Sequence, residues 1–144
     1  MKYNKYIKLF LRISIASSFL SAVADRFGSW DEAVSVWGNW ESFKAYTALI
    51  NPWFPTSMVP FLAISSTLAE TLFACCLLIG FKTELVARLS GFLLLLFALS
   101  MTFSTGIKGA LDYSVYVASA AAFSLSLMNI KFLEIDSLFD GPAA

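Results

Sequence analysis

Residues 59–80 read VPFLAISSTLAETLFACCLLIG, an apolar run with one ionisable side chain, Glu70, and this run decides the solvent in which the chain folds. A helix rises about 1.5 Å per residue, so about 20 mainly apolar residues cross the ~30 Å hydrocarbon layer of a bilayer. Three further windows of this kind lie at about 7–24, 85–105 and 113–130. Composition agrees: 58% of the chain is hydrophobic, 14% is charged and mean hydropathy is +0.73. Soluble domains run at about 45–50% apolar and about 25% charged. A domain of about 150 residues keeps about a third of its unfolded surface exposed, too much for ten basic and ten acidic side chains to cover.

The expected fold is all-α, a single domain over 1–144 built as an antiparallel bundle of four transmembrane helices. Gly80-Phe81-Lys82 and Gly106–Gly109 make tight links, which join antiparallel neighbours. Lys2, Lys5, Lys8, Arg12, Lys82, Arg88 and Lys131 fall on one side and only Arg26, Lys44 and Lys108 on the other, so both termini are expected in the cytoplasm. A cleaved leader ending near Ala22-Val23-Ala24 is the rival reading of the start, and Arg12 and four serines within the stretch speak against it. The segment after Lys131 is acidic, ends in Gly-Pro-Ala-Ala and reads as a frayed tail.

Net charge is zero and no basic run exists, which removes nucleic acid as a partner. The absence of histidine removes His-ligated haem, copper and zinc and Ser-His-Asp catalysis, and no metal site is expected. Cys75 and Cys76 point about 100° apart on a helix and read as buried small hydrophobes, not as a disulfide.

An ionisable group in hydrocarbon is a functional candidate by default. Glu70 lies near the middle of its window with Ser66 and Thr67 a turn before it, and reads either as structural glue or as a proton-handling or ligand-binding group. Arg12 and Arg88 are its candidate partners, and each also reads as a topology marker that snorkels to the headgroups. Ser14, Ser18, Ser21 and Asp25 form one face of the first helix, opposite Arg12. Asp112, Tyr116, Ser119, Phe123 and Ser126 form one face of the fourth. Tyr116 is a further candidate ligand donor. Asp25, Arg26, Lys108 and Asp112 form an expected outer polar cluster, either a headgroup or ligand site or a plain ion-pair network.

The outer segment 25–58 holds Trp30, Trp37, Trp40 and Trp53, and amphipathic aromatics prefer the headgroup level. Within it, residues 41–50 place Phe43, Tyr46, Leu49 and Ile50 on one helical face ended by Asn51-Pro52, either a lid over the bundle or an aromatic anchor. Gly91, Leu95, Ala98 and Thr102 give the third window a small-residue face, the expected place for self-association into a homo-oligomer.

Taken in order, Arg12, Asp25-Arg26-Phe27-Gly28, Trp37-Gly38-Asn39-Trp40, Asn51-Pro52, Glu70, Ser90-Gly91 with its leucine run, Met101-Thr102, Gly106-Ile107-Lys108 and Leu111-Asp112-Tyr113-Ser114 resemble the DoxX family of four-helix bacterial membrane proteins. The resemblance spans about residues 7–130. It implies a bacterial cytoplasmic (inner) membrane protein whose broader group is tied to quinone-linked, thiol and oxidative-stress systems. The functional expectation is therefore a small accessory protein of a membrane redox system, working through quinone or a redox or thiol-system partner. The alternative is a non-catalytic membrane chaperone, assembly factor or carrier of lipid or a small molecule. Quinone is the one candidate cofactor, membrane lipids are expected partners, and no reaction is assigned.

Overall fold

The computed structural model describes residues 3–139; Lys2 of the basic flank and the Gly-Pro-Ala-Ala end lie outside them. The described chain is all-helical: α1 (Asn4–Arg26), α2 (Trp40–Ile50), a 3-10 turn (Thr56–Met58), α3 (Val59–Ile79), α4 (Thr83–Ser104), α5 (Ile107–Asp112), α6 (Val115–Ser126) and α7 (Asp136–Phe139). Three helices, at Asn4–Arg26, Thr56–Ile79 and Thr83–Ser104, are long and apolar enough to cross a membrane, as in a membrane protein.

Local chemistry sets the boundaries. Pro60 opens α3, where its missing N–H is not needed. Gly80 closes α3 at φ 72°, and the Phe81 N–H then donates to the Cys76 carbonyl at 2.9 Å. Asn39 caps α2 by accepting from the Ser42 N–H at 2.8 Å.

The fourth expected span is shorter than its window. The helix covers Val115–Ser126, 12 residues or about 18 Å. Its hydropathy continues on both sides, but Ser114 sits at φ 55° and separates it from α5, and the helix stops at Leu127.

α1 packs on α3 and α4 on α6, with further contacts of α3 to α4 and α1 to α6. The main core joins Ile15, Ala16 and Phe19 to Ala74, Leu77, Val86, Ala87, Ala122 and Leu125. A smaller cluster of Ile50, Ala98, Met101 and Ala110 ties α2, α4 and α5 together. The small-residue face of α4 is taken up inside the chain. Ser119 Oγ donates to the Gly91 carbonyl at 2.8 Å, and a Cβ at Gly91 would meet the Phe123 ring at 2.9 Å.

The described part of the tail is docked, in place of the frayed tail expected after Lys131. Ile135 and Asp136 donate their N–H groups to the carbonyls of Ile79 and Gly80 at 3.1 and 3.0 Å. The Asp136 carboxylate accepts from the N–H groups of Lys82 and Thr83 at 2.7 and 2.9 Å, capping α4 from a distant part of the chain.

Candidate functional site

Glu70 is 2% exposed near the middle of α3, and its partner is neither expected arginine but Arg26, at the end of α1. Arg26 Nη2 lies 2.8 Å from Glu70 Oε1 and 2.6 Å from Oε2, while Nη1 donates to Thr67 Oγ1 at 2.6 Å. The residues one helical turn apart on α3 therefore do form one polar face, with Thr67 and Glu70 sharing a guanidinium.

Arg26 is held down by the aromatic segment. Its guanidinium carbon sits 3.9 Å from the Phe43 ring centre and 5.5 Å from that of Trp37, a cation–π arrangement. Trp37 in turn packs edge-on to Phe43 at 5.1 Å and lies 5.7 Å from Tyr46. Asp25 fastens this cover: its carboxylate accepts from the Val36 and Trp37 N–H groups at 3.0 and 2.8 Å and from the Ser35 hydroxyl. The bend from α1 into the cover needs glycine. Gly28 has φ 69°, and a Cβ there would stand 3.0 Å from the Gly38 carbonyl oxygen. α2 thus covers Arg26 through Phe43, and burial, with Tyr113 nearby, raises the pKa of the Tyr46 hydroxyl.

Beneath the lid lies a cavity of about 1100 Å³, walled by α1, α2, α3, α4 and the start of α6. Its lining includes a first group of Arg26, Glu70, Trp37, Phe43 and Tyr46 and a second of Leu96, Phe103 and Val117. The first group is polar and aromatic, the second apolar and exposed on the helices' outer faces. Three buried atoms on its lining residues have no hydrogen-bond partner: Arg26 Nε, Trp37 Nε1 and Glu70 Oε2. Glu70 Oε2 is nevertheless in ion-pair contact with Arg26 Nη2 at 2.6 Å.

The other expected site residues lie elsewhere. Arg12 faces the opposite end of α3. Its Nε donates to the Leu77 carbonyl at 2.9 Å, Nη1 to those of Phe132 and Leu133 at 3.0 Å each, and Nη2 to that of Leu78 at 3.1 Å. Its carboxylate is Glu134, at 3.5 Å, which also pairs with Lys8 at 2.8 Å. Arg88 is exposed on α4. Tyr116 shares a hydrogen bond with Thr102 at 2.8 Å instead of lining the cavity.

The expected outer cluster separates in two. Asp25 and Arg26 are buried, whereas Lys108 and Asp112 are exposed and pair with each other one turn apart on α5. Trp30 donates to the Ser21 carbonyl at 3.1 Å, Trp40 stacks on Phe27 at 5.7 Å, and Trp53 is half exposed beside the cavity. Cys75 is exposed, not buried, and Cys76 is half-buried; both are free thiols.

Sequence reasoning missed Arg26 as the partner of Glu70, and Glu134 altogether. The signal for Glu134 was present: Lys8 and Arg12 stand one turn apart on an apolar helix, and two buried cations on one face require an anion. Among the described residues, no group of acidic or cysteine side chains is arranged to hold a metal ion. No family model, curated protein or solved structure matches the chain.

Proposed function

We propose that this chain is a small accessory protein of the bacterial cytoplasmic membrane, of the DoxX type, that binds a membrane-dissolved amphiphile beneath the α2 lid and serves a membrane redox system. In this reading α5 and α6 together make the fourth crossing of an antiparallel bundle, both termini are cytoplasmic, and quinone is the candidate ligand. One observation carries the reading. A buried Arg26–Glu70 pair stands in the wall of a largely apolar cavity that also reaches the exposed, apolar faces of α4 and α6. Small-molecule sites combine apolar walls with a few polar groups that fix the head of the ligand.

The test is to extract the protein gently from its own membrane and identify what remains bound by native mass spectrometry. Quinone at a fixed ratio to protein, lost when Ala118→Phe fills the cavity, is the expected result. Quinone present only at the membrane background overturns the reading.

The exposed tryptophans support a second reading, a non-catalytic chaperone, assembly factor or carrier that grips a membrane partner. Trp30 and Trp53 are 49% and 52% exposed, while Trp37 and Trp40 pack within the cover. Trp30→Ser, outside the cavity lining, then removes a redox or thiol-system partner from the purified complex while leaving the bound small molecule in place.

A further inference from the structure

Phe27, Trp30 and Val34 stand 64%, 49% and 67% exposed at the outer end of the chain, and none of them lines the cavity. The loop that carries them is fastened from below. The Ser29 N–H donates to the Ala24 carbonyl at 3.0 Å, and those of Val34 and Ser35 donate to the Asp31 carbonyl at 3.0 Å each. Asp25 accepts from the Ser35 hydroxyl and from the Val36 and Trp37 N–H groups. Trp30 Nε1 donates to the Ser21 carbonyl at 3.1 Å, which leaves the apolar body of the indole to make outside contacts. A surface fixed in this way loses little freedom on binding.

The charge of this surface has one sign. Over residues 27–58 the chain carries Asp31, Glu32 and Glu41 against one base, Lys44, and that base pairs with Glu41 at 2.9 Å. Among the described residues, Asp31 and Glu32 are exposed and enter no ion pair. That sign argues against two occupants. Segments that lie in a lipid interface set Lys and Arg beside their aromatic residues, and anionic headgroups repel carboxylates. A second copy meeting this face with its own would set Asp31 and Glu32 against like charges.

We propose that the loop over 27–34 is the docking face for a cationic segment of a protein partner, which sets apolar side chains on Phe27, Trp30 and Val34 and Lys or Arg beside Asp31 and Glu32. The proposal rests on the second reading above, in which the chain grips a membrane partner, and adds the charge of the gripped segment. Lys and Arg carry their charge on long apolar stems, so the same side chains can cover an aromatic ring and reach a carboxylate. Exposed opposite charges act chiefly on encounter and on the choice of partner, whereas apolar contacts hold the complex. Added salt therefore weakens binding without abolishing it.

Fluorescence anisotropy with the full chain in phosphatidylcholine nanodiscs, and empty nanodiscs as the blank, tests this with labelled dodecapeptides. The three probes repeat Lys-Val-Lys-Ser, Glu-Val-Glu-Ser and Lys-Ser-Lys-Ser. The expected result is saturable binding of the Lys-Val-Lys-Ser peptide, about tenfold tighter than either of the others. Asp31→Asn with Glu32→Gln should weaken it about fivefold, and Trp30→Ser about tenfold. Binding that Trp30→Ser weakens but the paired charge variant leaves unchanged overturns the charge assignment and leaves the gripping reading intact. Binding changed by neither, or no binding above the blank, overturns the docking face. Loss of a copurifying partner on Trp30→Ser then still upholds the gripping reading, and its retention removes that reading as well. Brominated phosphatidylcholine that quenches the wild type more than Trp30→Phe puts lipid on the loop and also overturns the proposal.

Discussion

The chain buries two arginine–glutamate contacts on α1, one at Arg12 in its first half and one at its last residue, Arg26, and the two are completed in opposite ways. Arg12 uses Nε, Nη1 and Nη2 on the carbonyls of Leu77, Leu78, Phe132 and Leu133, so the end of α3 and the tail close around it. Arg26 uses its two terminal nitrogens on Thr67 and Glu70, and its buried Nε has no hydrogen-bond partner. The first is a clasp for a part of the backbone that lacks partners of its own, since the last carbonyls of a helix are unsatisfied. The second is a pair held in readiness under an aromatic cover. Identical residue types therefore close on backbone carbonyls at one position of α1 and on two side chains beside a cavity at the other. What separates them is whether backbone fills the remaining valences.

The comparison is broken most severely at the clasp. Arg12→Leu strips four carbonyl oxygens of their donor and leaves Lys8 with Glu134 in an altered, buried pair. Removing one member of a buried ion pair costs about 3–5 kcal/mol. We expect a loss in that range by denaturant unfolding in micelles, with release of the tail detected as faster hydrogen exchange at Ile135 and Asp136. A variant that unfolds like the wild type makes the clasp dispensable.

The Arg26 end responds differently to paired substitution. Arg26→Met alone leaves Glu70 buried without its cation and is expected to cost about 3 kcal/mol. Combining it with Glu70→Leu should bring stability back to within about 1 kcal/mol of the wild type, because an apolar replacement of a buried pair is often neutral. Ligand retention should still be lost. Recovery of ligand together with stability would make the pair as structural as its counterpart.

How much of this contrast was legible beforehand depended on range. The first three long helices, the turn at Gly80, the stop at Asn51 and the buried position of Glu70 follow from local hydropathy, a left-handed glycine and a side chain out of place in hydrocarbon. The partners did not follow. Arg26 stands beyond the apolar window of α1 and reads as a headgroup residue until the aromatic cover folds over it. Glu134 lies in a tail of mixed acidic and apolar residues, and only its distant contacts with Lys8 and Arg12 give it a place. The break before α6 was hidden because serine carries no strong signal for the φ of 55° found at Ser114.

A smaller change sharpens the clasp without disturbing its charges. Asp136→Ala removes the carboxylate that accepts from the Lys82 and Thr83 N–H groups at the start of α4. Loss of such a cap costs about 1 kcal/mol. The expected variant is modestly less stable, retains its ligand and still protects the Arg12 contacts from exchange. Ligand loss would mean that the Arg12 and Arg26 contacts are coupled.

The smallest effect belongs to the lid and appears only at alkaline pH. Burial, with Tyr113 adding to it, holds the Tyr46 hydroxyl neutral above its ordinary pKa of 10.0. In the unfolded chain the same hydroxyl ionises near that ordinary value. Stability contributed by keeping it neutral is therefore fully present below about pH 10 and is lost as pH rises from there through the raised value. Tyr46→Phe has no proton to lose, so its unfolding free energy should fall less steeply than that of the wild type across this window. Parallel curves would place Tyr46 in solvent and the lid off the cavity. A gap that opens only above the ordinary tyrosine range would show Tyr46 buried in the folded chain.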